Sequence, residues 1–445
     1  MISVQKSVPQ CTTEIPPGRG YPLHTNVRKP KIAIVGCSYA GMSATLTLTA
    51  LKDDLSIPFE SWGDYSHLQN APSVQDFDIT IVDERDGFFH SVGAPLAHIS
   101  PEKTNMMWKV YEGFAELNRP DIEFVQGTVT SINSASQTMQ YQNSEGKSEA
   151  LDYDYIIISS GLRRPWPVVP RSTQFSSYLS DASTFTQRIV GAQKLGVVVV
   201  GGGTNLILGV KGAVGVEFAG KIKTHYPETP VTLVHSRDQL LSREPLPEEF
   251  KTRTLELLRE QGIEVILNQR AHVEELPDGT SYVKFNDGNC LHTAMVITAM
   301  ASHNPSSEFL PPAILGNGGI NADSYLRVIS GINPIPRMFA AGDIINLPGI
   351  KLGGTAMLMG SVAAANIYSL LVAQNNSSWS LVMEPYVPIK PKMALSVGNS
   401  AVCYTPGGEG VRYGKDLVEP LFGSDLGWSK VLSALGLNKY ENASV

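Results

Sequence analysis

The chain has 445 residues, of which 42% are hydrophobic and 17% charged, so it is long enough for two or three domains with buried cores. Its formal net charge of −7 argues against a nucleic-acid-binding surface. The sequence contains no apolar run of membrane-spanning length, which predicts a protein without a transmembrane segment. The four cysteines are widely scattered and form no Cys-x-x-Cys pair, so neither a redox-active disulfide nor a metal site is indicated. We therefore expect a cytoplasmic protein, with peripheral association with a membrane or with mitochondria left open.

Residues 1–30 precede the first hydrophobic pattern of the chain. They are rich in Pro, Thr and Gly and show no periodicity typical of a helix or a strand. No apolar segment follows the first basic residue, Lys6, so a secretory signal is not indicated, and Glu14 argues against a mitochondrial presequence. We therefore predict a flexible extension.

A strand–turn–helix unit is predicted over residues 31–50. Residues 32–35 are typical of a strand buried on both faces, and apolar residues then recur at helical spacing. The turn between them reads Gly-x-Ser-x-x-Gly, and a dinucleotide-binding fold places a pyrophosphate there, against the N-terminus of the helix. The residues predicted to bind a dinucleotide are Gly36, Ser38, Tyr39, Ala40 and Gly41. Taken alone, this turn is equally typical of an ordinary strand–helix connection.

The second predicted strand, Asp78–Asp83, ends in an acid. In a dinucleotide-binding fold such an acid hydrogen-bonds a ribose, usually about 20 residues after the last glycine. The irregular stretch 52–77 makes this distance longer, so we expect it to loop out of the fold. We predict that Asp83 binds a ribose; the alternative is that Asp83 and Glu84 are solvated charges at the end of a strand.

A further buried strand is predicted to end at Gly161. Residues 153–160 lead from acidic and aromatic residues into an apolar run, and we place Gly161 at the cofactor. The following Arg-Arg-Pro-Trp-Pro, residues 163–167, cannot continue a strand. It predicts a crossing between two domains.

A second strand–turn–helix unit is predicted from residue 196 onward. A buried strand is followed by three glycines, including Gly201 and Gly203, and by a helix over 213–220. One Gly-rich turn is ambiguous, whereas two in one chain indicate two nucleotides bound end to end. We therefore predict a second dinucleotide site at Gly201 and Gly203.

The next strand of this second unit, residues 231–234, carries no acid at its end. It is followed by His-Ser-Arg, and Arg237 can pair with the 2′-phosphate of a nucleotide. NADPH is therefore favoured over NADH. The alternative is an exposed arginine at the end of a strand.

A Gly-Asp pair closes a later strand, residues 337–343, and a long helix rich in small residues follows over 353–371. An acid at the tip of a strand suits a ribityl hydroxyl, and a helix N-terminus stabilises negative charge on a reduced flavin. We predict that Asp343 binds a flavin in this way. The alternative is an Ala-rich packing helix after a turn.

The chain resembles the flavoproteins with two dinucleotide-binding domains. Within them it is similar to the apoptosis-inducing-factor-like NAD(P)H:quinone oxidoreductases of the ferroptosis-suppressor and fungal AMID-like type. The segments that carry the resemblance are IAIVGCSYAG, ITIVDERDGFFHSVGA, YDYIIISSG, VVVVGGG with AVGVEFAGKI, VTLVHSRDQLL, FAAGDI and the segment before AMLMGSVAAANI. They extend from about residue 31 to residue 371, and PKMALSVG and FGSDLGW match more weakly.

The resemblance implies FAD on the first unit, with Asp83 at the adenine ribose and Asp343 at the ribityl chain. It implies NAD(P)H on the second unit, with Glu217 near the nicotinamide. It also places Lys351 before the helix that faces the flavin, and His90 in the segment lining the isoalloxazine. For His90, a packed or capping imidazole and a proton relay remain equal alternatives. The implied reaction passes hydride from nicotinamide to flavin and then electrons to a quinone-like acceptor.

The predicted fold class is therefore α/β, with two Rossmann-like dinucleotide-binding domains and a small C-terminal α+β domain. The domain ranges that we predict are a flexible extension over 1–30, a discontinuous FAD domain over 31–163 and 294–373, an NAD(P) domain over 164–293 and a C-terminal domain over 374–445. The predicted partner is a small-molecule electron acceptor, without nucleic acid. The sequence does not determine the oligomeric state.

One departure from the family pattern affects the second site. Residues 204–212, TNLILGVKG, separate Gly203 from the helix that begins near Ala213, where the family runs the glycines directly into the helix. Three alternatives remain open: an earlier helix start with a rebuilt loop, a damaged cofactor site, or a gene-model error.

Two other functions remain open on the sequence. One is an FAD-dependent oxidase or cyclase of secondary metabolism with a vestigial NAD(P) site. The other is a flavin-bound signalling or interaction protein with little turnover.

Overall fold

The computed structural model describes residues 28–57, 65–68, 71–72, 74, 76–201, 213–299, 304–316 and 319–437. Residues 1–27 of the extension predicted over 1–30, Gly203 and the segment 204–212 lie outside the described residues, so the predictions made for them stay predictions.

The helices of the described chain are α1 (Tyr39–Lys52), α2 (Ala94–Ile99), α3 (Pro101–Thr104), α4 (Phe175–Gly191), α5 (Ala213–His225), α6 (Glu248–Glu260), α7 (Gly353–Asn375), α8 (Val418–Phe422) and α9 (Trp428–Ala434). The strands are β1 (Lys31–Val35), β2 (Asp78–Asp83), β3 (Gly87–Phe89), β4 (Trp108–Val110), β5 (Ile122–Asn133), β6 (Thr138–Asn143), β7 (Ser148–Asp152), β8 (Tyr155–Ile158), β9 (Leu162–Arg163), β10 (Val197–Gly201), β11 (Val231–His235), β12 (Glu264–Ile266), β13 (Ala271–Glu275), β14 (Ser281–Phe285), β15 (Cys290–Thr293), β16 (Met295–Thr298), β17 (Asn304–Pro305), β18 (Leu315–Gly316), β19 (Gly319–Ile320), β20 (Arg327–Ser330), β21 (Asn333–Ala340), β22 (Met393–Val397), β23 (Ser400–Thr405) and β24 (Gly410–Gly414).

The first sheet has eight strands in the order β20-β21-β8-β1-β2-β5-β6-β7. Its centre is parallel, because β1 pairs with both β2 and β8, and β8 pairs with β21. Ile32–Val35 of β1 are buried, as expected for a strand covered on both faces. The long strand β5 continues into the antiparallel strands β6 and β7 at one edge. This topology brings the ends of β1, β2, β8 and β21 to the same edge of the sheet.

The second sheet has the parallel order β12-β11-β10-β16, and a separate antiparallel sheet is formed by β13, β14 and β15. One placement made from the sequence is wrong. We assigned β16 to the FAD domain, which we predicted to resume at residue 294, but β16 pairs with β10 and is an edge strand of the second sheet. The sequence of a single apolar strand does not indicate which strand it pairs with, because both parallel sheets consist of the same residue types. The other domain boundaries remain predictions.

The C-terminal region combines the antiparallel sheet β22-β23-β24 with α8 and α9. Leu395 and Val397 of this sheet are buried in the core around α5 and α6, whereas Trp428 and Leu432 of α9 are buried in the core around the first sheet. The C-terminal region therefore packs against both nucleotide-type units.

Helix α7 is buried over most of its length and packs along α1. The two backbones approach so closely that a Cβ on Gly360 would lie 2.0 Å from the Ala40 carbonyl oxygen. Among the described residues, α7 is also the helix that is long and apolar enough to cross a membrane. Because most of it lies inside the protein, its composition is weak evidence for a membrane span.

Candidate functional site

The turn between β1 and α1 is held by contacts that only glycine permits. Gly36 has a φ of +86°, and a Cβ there would lie 2.9 Å from the Ser159 carbonyl oxygen. A Cβ on Gly41 would lie 1.9 Å from the Gly36 carbonyl oxygen. The Ser159 hydroxyl donates to the same Gly36 carbonyl at 2.7 Å. Ser38 precedes α1 and makes no side-chain capping hydrogen bond, so no Ser38 hydroxyl occupies the first backbone N–H groups of the helix.

An open cleft of about 1540 Å³, including its mouth, begins at this turn. It is lined from both nucleotide-type units and from the segment before α7. The predicted site residues that line it are Ser38, Tyr39, Ala40, Asp83, Gly161, Glu217, Lys351 and Asp343. Gly36 and Gly41 lie in the turn that supports the wall, whereas Gly201, Arg237 and His90 are not among the lining residues.

Asp83 lies at the end of β2, buried behind the glycine turn. Its Oδ2 accepts the backbone N–H of Cys37 at 2.6 Å, and its Oδ1 accepts the backbone N–H of Arg85 at 2.8 Å. Burial raises the pKa of the carboxyl, and the Arg85 guanidinium opposes this rise. In this position Asp83 fixes the turn through Cys37 and also faces the cleft. The neighbouring Glu84 forms ion pairs with Arg85 at 2.8 Å and with Arg163 at 2.6 Å.

Asp343 shares the cleft with two cations. Its Oδ2 accepts from Nη2 of Arg164 at 2.8 Å, and the nearby Lys351 ammonium donates to the Ile345 carbonyl at 2.8 Å. Burial lowers the pKa of Lys351, and the negative charge of Asp343 opposes this. Arg164 was not predicted as a site residue, because its Arg-Arg-Pro-Trp-Pro stretch indicated only a domain crossing. The available signal was its charge directly after a strand that ends at the predicted site.

His90 is fully buried between Tyr39 and the C-terminal region. Its Nδ1 lies 2.9 Å from the Tyr39 hydroxyl, and its Nε2 lies 3.0 Å from the Leu426 carbonyl oxygen. Because a carbonyl only accepts, Nε2 carries the proton and Nδ1 accepts from Tyr39. Burial lowers the pKa of His90 to about 4, so the ring is neutral at physiological pH. The imidazole lies against Trp428, with ring centroids 5.1 Å apart and ring planes tilted by 40°. Through its hydrogen bond it fixes the Tyr39 hydroxyl in the cleft wall.

Glu217 enters the cleft from the second turn of α5. It is 9% exposed, and burial raises its pKa to about 7, against the opposing effects of Lys221 and the Ser396 backbone N–H. Gly201 ends β10, and its carbonyl lies 2.9 Å from Nδ1 of His235. Arg237 is exposed beyond the end of β11, where its own carbonyl accepts the Asn268 N–H at 2.9 Å.

Two parallel-sheet units that line one cleft define the class of two-dinucleotide-binding-domain flavoprotein oxidoreductases. The chain belongs to the pyridine nucleotide-disulphide oxidoreductase family, whose model matches residues 30–360.

Individual relatives agree with this assignment. Oxidoreductase OXR1 of Ajellomyces capsulatus is 34% identical over 434 residues, which cover 93% of this chain and 89% of the relative. Human ferroptosis suppressor protein 1 is 26% identical over 377 residues, covering 83% of this chain and 86% of the relative. The structure of NDH2 from Plasmodium falciparum in complex with NADH is similar with a TM-score of 0.60, at 15% identity, over 93% of this chain and 99% of that one. The predicted family, fold class and oxidoreductase assignment are thereby confirmed.

Proposed function

We propose that this oxidoreductase uses FAD to pass electrons from NAD(P)H to a quinone-like or other small organic acceptor. The observation that carries the proposal is that the turn before α1, the Asp343 segment and Glu217 on α5 all line the same cleft. A fold that binds its two nucleotides on separate units needs a shared cleft, because two electrons would pass directly from the nicotinamide ring to the flavin ring.

The first unit fits the FAD that the family implies. The absence of Cβ atoms at Gly36 and Gly41 lets the turn pack tightly against Ser159 and against its own backbone. The N-terminus of α1, which the Ser38 side chain does not cap, favours a negative group such as a pyrophosphate. Ser38 would hold the phosphates, with Asp83 at the adenine ribose and Asp343 at the ribityl hydroxyls. Arg164 would hold the Asp343 carboxylate in place, since the two form a hydrogen-bonded ion pair at the cleft wall.

When bound, the flavin supplies two-electron transfer between a reduced nicotinamide and an organic acceptor. Lys351 and the N-terminus of α7 line the cleft, where they would favour negative charge on the flavin ring. Glu217 approaches from the opposite unit, where its carboxylate would face the nicotinamide and favour positive charge on that ring. His90, which packs against Trp428, holds the Tyr39 hydroxyl in the wall and so keeps the shape of this end of the cleft.

Two relatives support the choice of donor and acceptor. One structural neighbour was determined in complex with NADH. Another neighbour is a sulfide:quinone oxidoreductase, from Aquifex aeolicus. By this likeness we propose a pyridine-nucleotide donor and a quinone-like acceptor. From the sequence, we propose NADPH as the favoured donor because of Arg237, and a cytoplasmic location with peripheral contact with membranes.

The test uses the full chain, purified under mild conditions. The absorption spectrum identifies the flavin, an anaerobic titration with NADPH and with NADH follows its reduction, and coenzyme Q1 or menadione is then added as the acceptor. Fast turnover with a quinone supports the proposal. Reduction only by a substrate other than NAD(P)H would favour an oxidase or cyclase, and slow stoichiometric reduction without turnover would favour a signalling protein.

A further inference from the structure

Helix α5 carries a buried acid and a buried base one turn apart. Glu217 is 9% exposed and lines the cleft, and Lys221 is 8% exposed. Residues four apart lie on the same face of a helix, so the ammonium follows the carboxylate along this face. Burying a lysine is costly unless its charge is compensated.

The Lys221 ammonium is held by the C-terminal hairpin, which consists of β22, β23 and the turn between them. Its Nζ donates to the Gly398 carbonyl at 3.0 Å. A Cβ on Gly220 would lie 2.3 Å from the Gly398 nitrogen, so helix and turn are in direct backbone contact. Gln261, the residue that follows α6, fixes the same turn from the other side, since its Nε2 donates to the Val397 carbonyl at 2.9 Å.

We propose that Lys221, anchored by this hairpin one helical turn from Glu217, is a positioning residue that favours the ionised form of the Glu217 carboxylate at the nicotinamide end of the cleft. This inference rests on the proposed function. The inference gives the C-terminal hairpin a part in hydride transfer, although the cleft itself lies between the two nucleotide-type units.

The balance of charges supports this role. Burial raises the pKa of Glu217 to about 7, while the positive charge of Lys221 and the Ser396 backbone N–H oppose the rise. Burial lowers the pKa of Lys221, and the charge of Glu217 opposes that. Without the ammonium, the carboxyl would be largely protonated near neutral pH.

The other titratable groups around α5 leave Lys221 as the main cation acting on this carboxyl. His225 of the same helix has a pKa lowered by burial, with Lys221 adding to the fall and Glu102 of α3 opposing it. Burial lowers the pKa of His98 on α2 to about 3, and burial also lowers the pKa of His235 on β11. The residues of β10 carry no charge, and β22 faces α5 with the Ser396 backbone. Glu244 lines the same cleft.

The charge matters because hydride leaves the dihydronicotinamide with two electrons and one proton, and leaves a positive ring behind. An ionised Glu217 stabilises that charge, whereas a protonated one does not. Loss of the Lys221 charge should therefore shift the pH dependence of hydride transfer.

The experiment compares the wild type with Lys221→Gln, which removes the charge and keeps an N–H donor for the Gly398 carbonyl. Lys221→Arg restores the charge, Glu217→Gln removes the titrating group, and Lys223→Gln is the matched control on the same helix. Two quantities are measured between pH 5 and pH 9 with FAD in fixed excess: the free energy of unfolding in urea, and the rate of anaerobic flavin reduction at saturating NADPH or NADH.

The sign of the stability effect follows from linkage. The folded-state pKa of Glu217 lies above the unfolded value of about 4.3, so the stability that Glu217 contributes is complete below that pH and is lost as the pH rises through about 7. In Lys221→Gln this loss should move to a pH higher by about one unit, together with the pH midpoint of flavin reduction. Lys221→Arg should restore both midpoints, Lys223→Gln should leave both unchanged, and Glu217→Gln should abolish the transition.

Identical midpoints in the wild type and Lys221→Gln would overturn the role of Lys221, in a protein that NAD(P)H still reduces. If Lys221→Gln does not fold, Lys221→Met, which removes the charge and keeps an unbranched stem, replaces it in the same comparison of midpoints. The inference is contradicted if the pH-dependent change near pH 7 is absent in the wild type, or if it remains in Glu217→Gln. A wild type that neither dinucleotide reduces would contradict the proposed function instead, whatever the stability curves show.

Discussion

The two strand–turn–helix units of this protein share a sequence pattern but pack differently at the same point. In the first unit, Gly41 faces the first glycine of its turn, and a Cβ there would lie 1.9 Å from the Gly36 carbonyl oxygen. In the second unit, Gly215 faces Gly201, and a Cβ there would lie 3.4 Å from the Gly201 Cα. The first unit therefore leaves no room for a side chain, whereas the second has ordinary van der Waals space.

This difference indicates how each unit is stabilised. The turn before α1 depends on close backbone contacts within the turn and with Ser159, and on the Asp83 carboxylate behind it. Helix α5 depends on distant parts of the chain, because Lys221 bonds to Gly398 and Glu217 faces Ser396. The first unit should therefore be sensitive to small changes in its turn, and the second to changes in the C-terminal hairpin.

The largest effect is expected from adding one methyl group to each helix. Gly41→Ala should destabilise the protein by about 3 kcal/mol or prevent folding, because the new Cβ meets backbone that cannot move aside. Gly215→Ala is the matched change and should alter the free energy of unfolding by less than about 1 kcal/mol, since alanine also favours the helix. Urea unfolding followed by circular dichroism measures both; equal losses would contradict the contrast between the units.

The second effect concerns flavin retention by the first unit. Asp343→Ala removes an acceptor of charge-assisted hydrogen bonds, which contribute about 1.5–3 kcal/mol, so the Kd for FAD should rise about 10- to 150-fold. Asp343→Asn keeps a neutral acceptor and should lose less. Flavin fluorescence on titration of the apoprotein measures the Kd. Full retention of FAD by the alanine variant would remove Asp343 from the proposed site.

The third effect tests the longer connection of the second unit, on the basis of its sequence. Deletion of residues 204–212 brings the glycines next to α5, as in the first unit, and we predict that the insertion weakens NAD(P)H binding without abolishing it. The deletion should tighten NAD(P)H binding and speed flavin reduction several-fold in stopped-flow experiments. A deletion variant that folds, keeps FAD and reacts no faster would show that the insertion is without effect.

The smallest effect is expected at Arg237. An exposed arginine and a phosphate interact by about 0.2–1 kcal/mol, so Arg237→Ala should weaken NADPH binding by up to about fivefold and NADH binding less. Arg237→Lys keeps the charge and serves as the control. Binding of the two dinucleotides is compared by calorimetry, and an equal loss for both would remove the argument for NADPH.

The sequence by itself determined the local elements. The apolar run before Gly36, the small residues of the turn and the helical spacing after it predicted β1 and α1, since each depends on neighbours a few residues apart. The repeated pattern and the family resemblance predicted the fold class and the oxidoreductase assignment. The predicted residues at the ends of β1, β2 and β8 meet at the cleft because parallel strands end at one edge of the sheet.

Tertiary structure decided the contacts between residues that lie far apart in the chain. It assigned β16 to the second sheet, brought Arg164 to Asp343, buried His90 against Leu426 and placed Lys221 beneath the hairpin turn. In each of these contacts, the residues next to either group in the sequence do not indicate which distant group it will contact. The energy that selects them is burial and pairing of charge across the whole fold, which a local pattern of residue types does not contain.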